Sequence, residues 1–124
     1  MSIELYIDID NDFNKFFESR TFKYIRENWN YVIAIVGYSP DVYMRRSSSG
    51  HIHLKLLIPD GITIISQFAI RSLCHDDPWR IGIDLRRLAI QGQSEINRIF
   101  DMKVKNGVTY RVGEWIDISR KVKQ

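Results

Sequence analysis

The chain has 124 residues, 44% of them hydrophobic and 27% charged, with a formal net charge of +3. This composition is typical of a globular protein and excludes a disordered chain. No apolar stretch reaches the ~18 residues of a membrane span, and the N-terminal segment lacks the pattern of a secretory signal. Cys74 is the only cysteine, which excludes an intrachain disulfide. We therefore expect a reducing, cytoplasmic location and a core position for Cys74.

The first part of the chain predicts two strands with a helix between them. Residues 3–10 alternate apolar and polar side chains, which predicts a half-buried strand. Apolar residues then recur at helical spacing up to about residue 28, with Asn11 or Asp12 as the cap. The continuous β-branched run over residues 31–38 predicts a second strand, which a Ser-Pro-Asp turn ends.

The middle of the chain predicts two more strands around a second helix. A Ser-Ser-Ser-Gly loop at residues 47–50 precedes a strand over residues 51–58, which a Pro-Asp-Gly turn ends. Residues 62–73 have helical spacing, with Asp60 as the candidate cap. Residues 80–84 predict a short fourth strand.

The resulting order, β-α-β-β-α-β, predicts an α+β fold with a ferredoxin-like or RRM-like palm. Right-handed crossovers give the strand order 4-1-3-2, with both helices on one face. We expect residues 1–124 to form a single domain, with a palm-like core over 3–87 and a C-terminal appendage over 88–124. The appendage predicts a helix that Ser94 caps and a β-hairpin over residues 102–112 that turns at Asn106-Gly107.

This topology gathers acids and histidines on the sheet face opposite the helices. Alternation on strands 1, 3 and 4 turns the following polar side chains to that face: Asp8, Asp10, His51, His53, Lys55, Arg80 and Asp84. Clustered acids and histidines usually bind a metal or transfer protons. Asp8, Asp10 and Asp84 are therefore the candidate catalytic residues and ligands for Mg²⁺ or Mn²⁺, which prefer oxygen ligands. The alternative is that Asp10 caps the first helix and Asp8 is merely exposed.

The loop at residues 47–50 is a candidate phosphate-binding element. Its small residues and backbone N–H groups can cradle a phosphate, and neighbouring arginines can add charge-assisted hydrogen bonds. A histidine on the following strand can donate to a triphosphate oxygen. The candidate nucleotide-binding residues are Ser49, Arg46, His51 and His53. The alternative is a hairpin loop with ordinary surface histidines.

Together these motifs resemble the archaeo-eukaryotic primase, or primase-polymerase, superfamily. That family has a strand ending in DxD or DxE, a small-x-His motif, and a strand ending in an acid. Asp8-Ile9-Asp10, the histidines of SSSGHIH, and Asp84 in GIDL are similar to this pattern over roughly residues 3–87. The resemblance implies metal-dependent nucleotidyl transfer with the three aspartates as metal ligands and His53, in preference to His51, as the family histidine.

The same resemblance implies partners. They are a nucleoside triphosphate, a DNA or RNA template, and a helicase or other replication subunit, with no membrane. The chain is also similar to small proteins of archaeal viruses and plasmids. It has little room for the extra elements that family members carry beside the palm. A minimal enzyme, a subunit that needs a partner, and a palm that has lost catalysis all stay open.

Two other functions stay open as well. His51-Ile52-His53 resembles the His-hydrophobe-His strand of rolling-circle replication initiators and relaxases, in which the histidines bind a metal and a tyrosine attacks DNA. Tyr110 is the candidate nucleophile for that reaction. The second alternative is an inactive palm that binds nucleic acid or a partner without a metal, using aromatic side chains to stack on bases. On strands 1 and 3, Tyr6 is the aromatic residue predicted on the open face.

Overall fold

A four-stranded antiparallel sheet, a two-stranded hairpin and four helices make up the chain, as the computed structural model describes it for residues 1–92, 96–99 and 101–123. The strands are β1 (Ser2–Ile9), β2 (Val42–Arg46), β3 (Ile52–Pro59), β4 (Met102–Lys105), β5 (Val108–Arg111) and β6 (Ile116–Asp117). The helices are α1 (Arg20–Val36), α2 (Ile64–Leu73), α3 (Pro78–Gln91) and α4 (Ser119–Lys123), and a 3₁₀ helix covers Phe13–Glu18. The fold is therefore mixed α+β, as predicted.

The main sheet has the strand order β1-β3-β2-β6. β1 and β3 pair along their whole length, with Asp8 opposite His53, and β2 pairs with the other edge of β3, with Arg45 opposite His53. The predicted pairing of strands 1 and 3 is confirmed. The full order 4-1-3-2 is not, because no strand of the described chain pairs with the outer edge of β1 and β6 is added beyond β2.

The core lies between this sheet and the helices. Alternate residues of β1 and β3 face it, and the apolar stripe of α1 packs among them. Burying each such side chain stabilises the fold by about 1.5–3 kcal/mol. The principal members are Leu5, Ile7, Ile9, Ile52, Leu54, Leu56, Ile58, Phe22, Ile25, Trp29, Val32 and Val36. Cys74 is completely buried with them, as predicted, and burial raises the pKa of its thiol to about 12.

The predicted strand over residues 31–38 is wrong, because residues up to Val36 continue α1. Ser19 caps this helix by accepting a hydrogen bond from the Phe22 amide at 3.1 Å. Buried positions then recur at helical spacing as far as Val36, so the β-branched run extends the buried stripe. Gly37, with φ of 97°, ends the helix. The second strand is Val42–Arg46 instead.

The predicted strand over residues 80–84 is also wrong, because it lies inside α3. Asp77 caps this helix by accepting from the Trp79 amide at 2.9 Å, and Pro78 occupies the first turn. The alternation of Ile81, Ile83 and Leu85 with polar residues misled the strand prediction. α3 also continues across residues 87 and 88, where the palm-like core was predicted to end.

Polar groups of later segments satisfy the outer edge of β1 at Tyr6 and Asp8, where a fourth strand was predicted to pair. The Asn97 side chain accepts from the Tyr6 amide at 2.8 Å and donates to the Tyr6 carbonyl at 2.8 Å, as a paired strand would. Asp76 accepts from the Asp8 amide at 2.8 Å, and the Asp77 amide donates to the Asp8 carbonyl at 2.9 Å. This part of the edge is thereby protected from pairing with another chain.

The C-terminal hairpin is confirmed. β4 and β5 pair around Asn106 and Gly107, whose φ angles of 54° and 77° suit the predicted tight turn. Ser94 and the end of the predicted appendage helix lie outside the described residues, and residues 96–99 are not helical. None of the described helices has both the length and the apolar character to cross a membrane.

Candidate functional site

One polar side chain from each of the three paired strands forms a row across the open face of the sheet. Arg45 of β2 donates through Nε to His53 Nδ1 of β3 at 3.1 Å. His53 Nε2 lies 4.0 Å from Asp8 Oδ1 of β1. At the other end of the row, Arg45 Nη2 pairs with Asp101 Oδ1 at 3.1 Å. The strand register that places these residues opposite one another therefore assembles the row.

The bond from Arg45 fixes the protonation of His53. A guanidinium can only donate, so Nδ1 of His53 must accept, and the neutral ring carries its proton on Nε2. Burial, and then the charges of Arg45 and Arg80, lower the pKa of His53 to about 4, so it is neutral at pH 7. Its Nε2–H faces the neighbourhood of Asp8. An N–H in this position suits donation to an anionic oxygen better than coordination of a metal, which needs a free lone pair.

Asp8 is the half-buried acid of the row. Burial raises its pKa above the usual value, and the nearby Arg80 opposes that rise. An acid with a raised pKa beside a neutral histidine is the arrangement expected where protons or ligands are exchanged. Asp8 and His53, both predicted as site residues, are thus brought together.

Asp10 and His51 form a second pair just beyond the same strand ends. His51 Nδ1 lies 3.2 Å from Asp10 Oδ1, and both side chains are largely exposed. Asp10 does not cap a helix, since Asp12 accepts from Asn14 at the start of the 3₁₀ helix. The two pairs are adjacent because Asp10 lies two residues after Asp8 and His51 lies two residues before His53.

Asp84 does not join them, which corrects its predicted place on the sheet face. It lies on α3 with 2% of its surface exposed, and its Oδ2 contacts Arg71 Nη1 at 2.8 Å and the Asn97 amide at 3.0 Å. Arg71 also pairs with Asp76 at 2.6 Å, and Asp76 pairs with Arg80 at 2.7 Å. Asp84 is therefore part of a buried ion-pair network between α2, α3 and β1.

The predicted set of three carboxylate ligands consequently does not assemble. Across the described residues, no group of three or more acids, histidines or cysteines is placed to hold a metal ion. A magnesium or manganese ion at this face would depend on Asp8 and Asp10, with its other ligands coming from a bound molecule.

The loop at residues 47–50 is not an open backbone cradle, which corrects the prediction for its N–H groups. The buried Ser47 hydroxyl accepts from the amides of Ser49 and His51 at 3.3 and 3.0 Å, and the Ser47 carbonyl accepts from the Gly50 amide at 3.0 Å. Because these amides are bonded within the loop, a ligand would contact the loop mainly through its side chains. The Ser49 hydroxyl already accepts from Lys103 Nζ at 2.9 Å, which links the loop to the hairpin.

A groove between this loop and the hairpin has a strongly basic lining. We call it the basic groove; its volume is about 470 Å³. It is lined by Arg46, Ser48, Ser49, Gly50, Lys103, Lys105, Thr109, Tyr110 and Arg111. Among these described residues there are four cations and no carboxylate. Arg46 and Ser49 were both predicted to bind phosphate.

A second cavity adjoins the basic groove, and a third adjoins the second. The central pocket, of about 290 Å³, contains Asp8, His51 and His53, and shares Ser48, Ser49 and Lys103 with the basic groove. The aromatic groove, of about 680 Å³, shares Arg98 and Ile99 with the central pocket. It is lined by Tyr6, Arg45, Asn97, Arg98, Ile99, Asp101 and Trp115. The three cavities are linked in this order by their shared lining residues, and we call them together the track.

Trp115 is one of several track residues that sequence reasoning did not assign to a site; others are Asn97, Asp101, Lys103, Lys105 and Arg111. Its indole lies 4.4 Å from Arg45 Cζ and 4.5 Å from Lys55 Nζ, and its ring centroid is 6.3 Å from that of Tyr6. No local pattern marks it as a site residue. Its place above the sheet depends on the pairing of β6 with β2, which the sequence did not predict.

Comparison of the chain with family models, curated proteins and solved structures found no match. The resemblance to primase-polymerases therefore stays a prediction from the sequence.

Proposed function

We propose that the chain binds nucleic acid along the track. The observation that carries this proposal is the charge of the lining. Six cations line the three cavities against two carboxylates: Arg45, Arg46, Arg98, Lys103, Lys105 and Arg111 against Asp8 and Asp101. The whole chain has a net charge of only +3, so its positive charge is concentrated on this surface. Concentrated positive charge is the electrostatic signature of a nucleic-acid site.

Within the track, the basic groove suits the phosphates. Lysine, arginine and serine side chains supply most of the contacts that proteins make to the phosphate backbone. The absence of a carboxylate among the described lining residues removes the repulsion that an acid would cause. Lys105 and Arg111 are exposed on the hairpin, where a backbone can reach them.

The test is the salt dependence of binding to fluorescent DNA and RNA oligonucleotides, measured by anisotropy. The double variant Lys105→Gln/Arg111→Gln should weaken binding and reduce the slope of log K against log salt by about 0.7 for each phosphate of a single strand that the variant no longer neutralises. Arg20→Gln/Lys23→Gln is the charge-matched control, because both side chains are exposed on α1 and neither is among the residues that line the track. The control should keep the wild-type slope.

Two outcomes would overturn the proposal. One is a wild-type chain that binds no oligonucleotide even at low salt. The other is an equal loss of binding in the two double variants, since this would mean that net charge alone decides the affinity.

A second candidate is metal-dependent nucleotidyl transfer in the central pocket, as the resemblance to primase-polymerases implies. The observation favouring it is that the neutral His53 lies beside Asp8, whose pKa is raised. The Nε2–H of His53 can donate to a triphosphate. Asp8 and Asp10 would hold Mg²⁺ or Mn²⁺ together with phosphate oxygens of the nucleotide. The ion would neutralise negative charge on the phosphates during the transfer. The nucleic acid in the basic groove would then be the template.

Incorporation of labelled nucleotides with Mn²⁺ over several templates tests this candidate. Asp8→Asn should abolish incorporation in a folded protein, and His53→Gln should chiefly weaken nucleotide binding. A wild-type chain that binds nucleic acid and incorporates nothing would leave nucleic-acid binding as the function. Metal-dependent nicking of single-stranded DNA that Tyr110→Phe abolishes would favour the nickase instead, although the proton on His53 Nε2 argues against a metal there.

A further inference from the structure

We infer that the aromatic groove takes unpaired bases, so that the nucleic acid in the track is single-stranded and stacks on Trp115 beside Tyr6. This inference rests on the proposed function, because it names the class of nucleic acid that the track binds. It is carried by the way the two rings are held and by the division of charge along the track.

Trp115 is anchored on both sides along the chain. Before it, the Gly113 amide donates to the Arg46 carbonyl at 2.8 Å; after it, Ile116 pairs with Met44 of β2. The approach at Gly113 is close, since a Cβ there would lie 3.4 Å from the Cβ of Arg46. The indole is thus held in place before any ligand arrives. A preorganised ring loses little conformational entropy on binding.

Two cations support the indole from the sheet. Arg45 and Lys55 project from β2 and β3 on the open face and lie within 4.5 Å of the Trp115 ring. The ring is therefore held above that face, and it is only half-buried. A half-buried indole lined by cations offers a base both a stacking surface and nearby positive charge.

Tyr6 extends this surface. Its ring is stacked beside that of Trp115, with an angle of 26° between the two planes. Both polar groups of its backbone are bonded to Asn97, and Arg80 donates to the same carbonyl at 3.0 Å. Two neighbouring rings that are carried on a hydrogen-bonded backbone form the kind of platform on which single-stranded binding proteins stack bases.

The charge along the track separates a base end from a phosphate end. The aromatic groove contains the carboxylate of Asp101, paired to Arg45, whereas the described lining of the basic groove contains none. Phosphates are therefore favoured in the basic groove and neutral bases in the aromatic groove. Its volume of about 680 Å³ lies within the range of ligand pockets. Bases in a duplex are already stacked on one another, so only a single strand can use the rings.

The deciding experiment compares oligo-dT with an abasic oligonucleotide of equal length and charge, both titrated against the wild-type chain. Stacking of one base on Trp115 should make oligo-dT bind about 5-fold to about 150-fold tighter. A duplex of the same length should bind less tightly than oligo-dT at the same salt. Equal affinities for oligo-dT and the abasic strand would overturn the inference and leave phosphate binding intact. Failure of all three to bind would overturn the proposed function as well.

Tryptophan fluorescence locates the contact. In Trp79→Phe, the exposed tryptophan of α3 is removed and Trp29 is 4% exposed, so Trp115 becomes the reporter. Oligo-dT should quench its emission, and the abasic strand should not. In the same background, Trp115→Phe should keep part of the preference for oligo-dT and Trp115→Ala should lose it, with folding checked by circular dichroism. Unquenched emission at saturating oligo-dT would overturn the inference even if Trp115→Ala fails to fold.

Discussion

Asp8 and Asp84 stand in similar sequence contexts, each between apolar residues of a strand-like run, and the fold gives them opposite surroundings. Asp8 lies on the open face beside a neutral histidine, half-buried and without an arginine bonded to its carboxylate among the described residues. Asp84 is buried on a helix against Arg71. The difference teaches that an acid in an apolar run marks either a site or a buried ion pair.

The group that faces the carboxylate decides whether such an acid belongs to a binding site or to a buried ion pair. The burial of a carboxylate requires a cation within contact distance. Arg71, the partner of Asp84, is 1% exposed and pairs with Asp76 as well. An acid whose neighbours are a neutral ring and solvent instead keeps its lone pairs available to a ligand. The comparison therefore separates a region that stabilises the fold from a region that can bind, and substitutions in each region should differ accordingly.

The largest expected effect is on stability, from Asp84→Asn. Removing this charge leaves Arg71 buried with one anionic partner fewer, and its Nη2 already has no hydrogen-bond partner among the described residues. We expect a loss of about 3–5 kcal/mol in the free energy of unfolding, measured by urea denaturation. Asp8→Asn is the matched control and should lose no stability at pH 7, because burial disfavours the Asp8 charge. Equal losses would remove the distinction between the two acids.

The next effect is the pH dependence that His53 contributes. The pKa of this histidine is about 4 in the folded chain, against an ordinary value of 6.5. Between those values the unfolded chain binds a proton that the folded chain does not, so stability falls as the pH drops from about 6.5 to about 4. The contribution is about 3 kcal/mol for a shift of this size. His53→Gln should remove that part of the slope in denaturation curves recorded from pH 7 to pH 4; an unchanged slope would place the titration elsewhere.

Arg80 connects the two regions, and its replacement should affect both moderately. It pairs with Asp76 and donates to the Tyr6 carbonyl, and its charge lowers the pKa of Asp8. Arg80→Gln should cost about 1–3 kcal/mol and raise the pKa of Asp8 further, as followed by NMR titration of the carboxyl carbon. Arg87→Gln is the control, because Arg87 is 3.8 Å from Asp84 and half-exposed, and it should cost less than about 1 kcal/mol. An unchanged Asp8 titration in Arg80→Gln would show that the regions are electrostatically separate.

Local patterns predicted the parts of the fold that depend on neighbouring residues. Alternation over residues 3–10 and 51–55 predicted β1 and β3, Asn106-Gly107 predicted the hairpin turn, and all three were found. The neighbouring positions of Asp8 and His53 followed from the order of strands 1 and 3. For each of these elements, a pattern of at most about ten neighbouring residues is enough to predict the structure.

The failures come where tertiary context decides. The β-branched run at 31–38 has strand propensity, but it continues a capped helix whose buried positions recur every three or four residues, and packing outweighs propensity. Residues 80–84 alternate as a strand would, yet the Asp77 cap and Pro78 start a helix. Because Asp84 lies on that helix, it is not on the sheet face where the site was predicted. Trp115 is placed in the track by the pairing of β6 with β2. This pairing involves only two residues of each strand, and no sequence pattern predicts it.

The smallest expected effect is in the hairpin, where the track should loosen while the buried network stays intact. Gly107 has a φ of 77°, and no atom lies within 4 Å of a Cβ added there, so Gly107→Ala costs only backbone strain. We expect about 1 kcal/mol, confined to β4 and β5. Hydrogen exchange of the hairpin amides should accelerate, while amides of β1 and β3 keep the wild-type rate. Oligonucleotide binding should weaken because Lys105 and Arg111 are held less firmly.

Asn106→Gly, which relieves a positive φ of 54°, is the control and should leave binding unchanged. Faster exchange throughout β1 and β3 would show instead that hairpin and core unfold as one unit, and the separation between binding surface and stabilising network would fail.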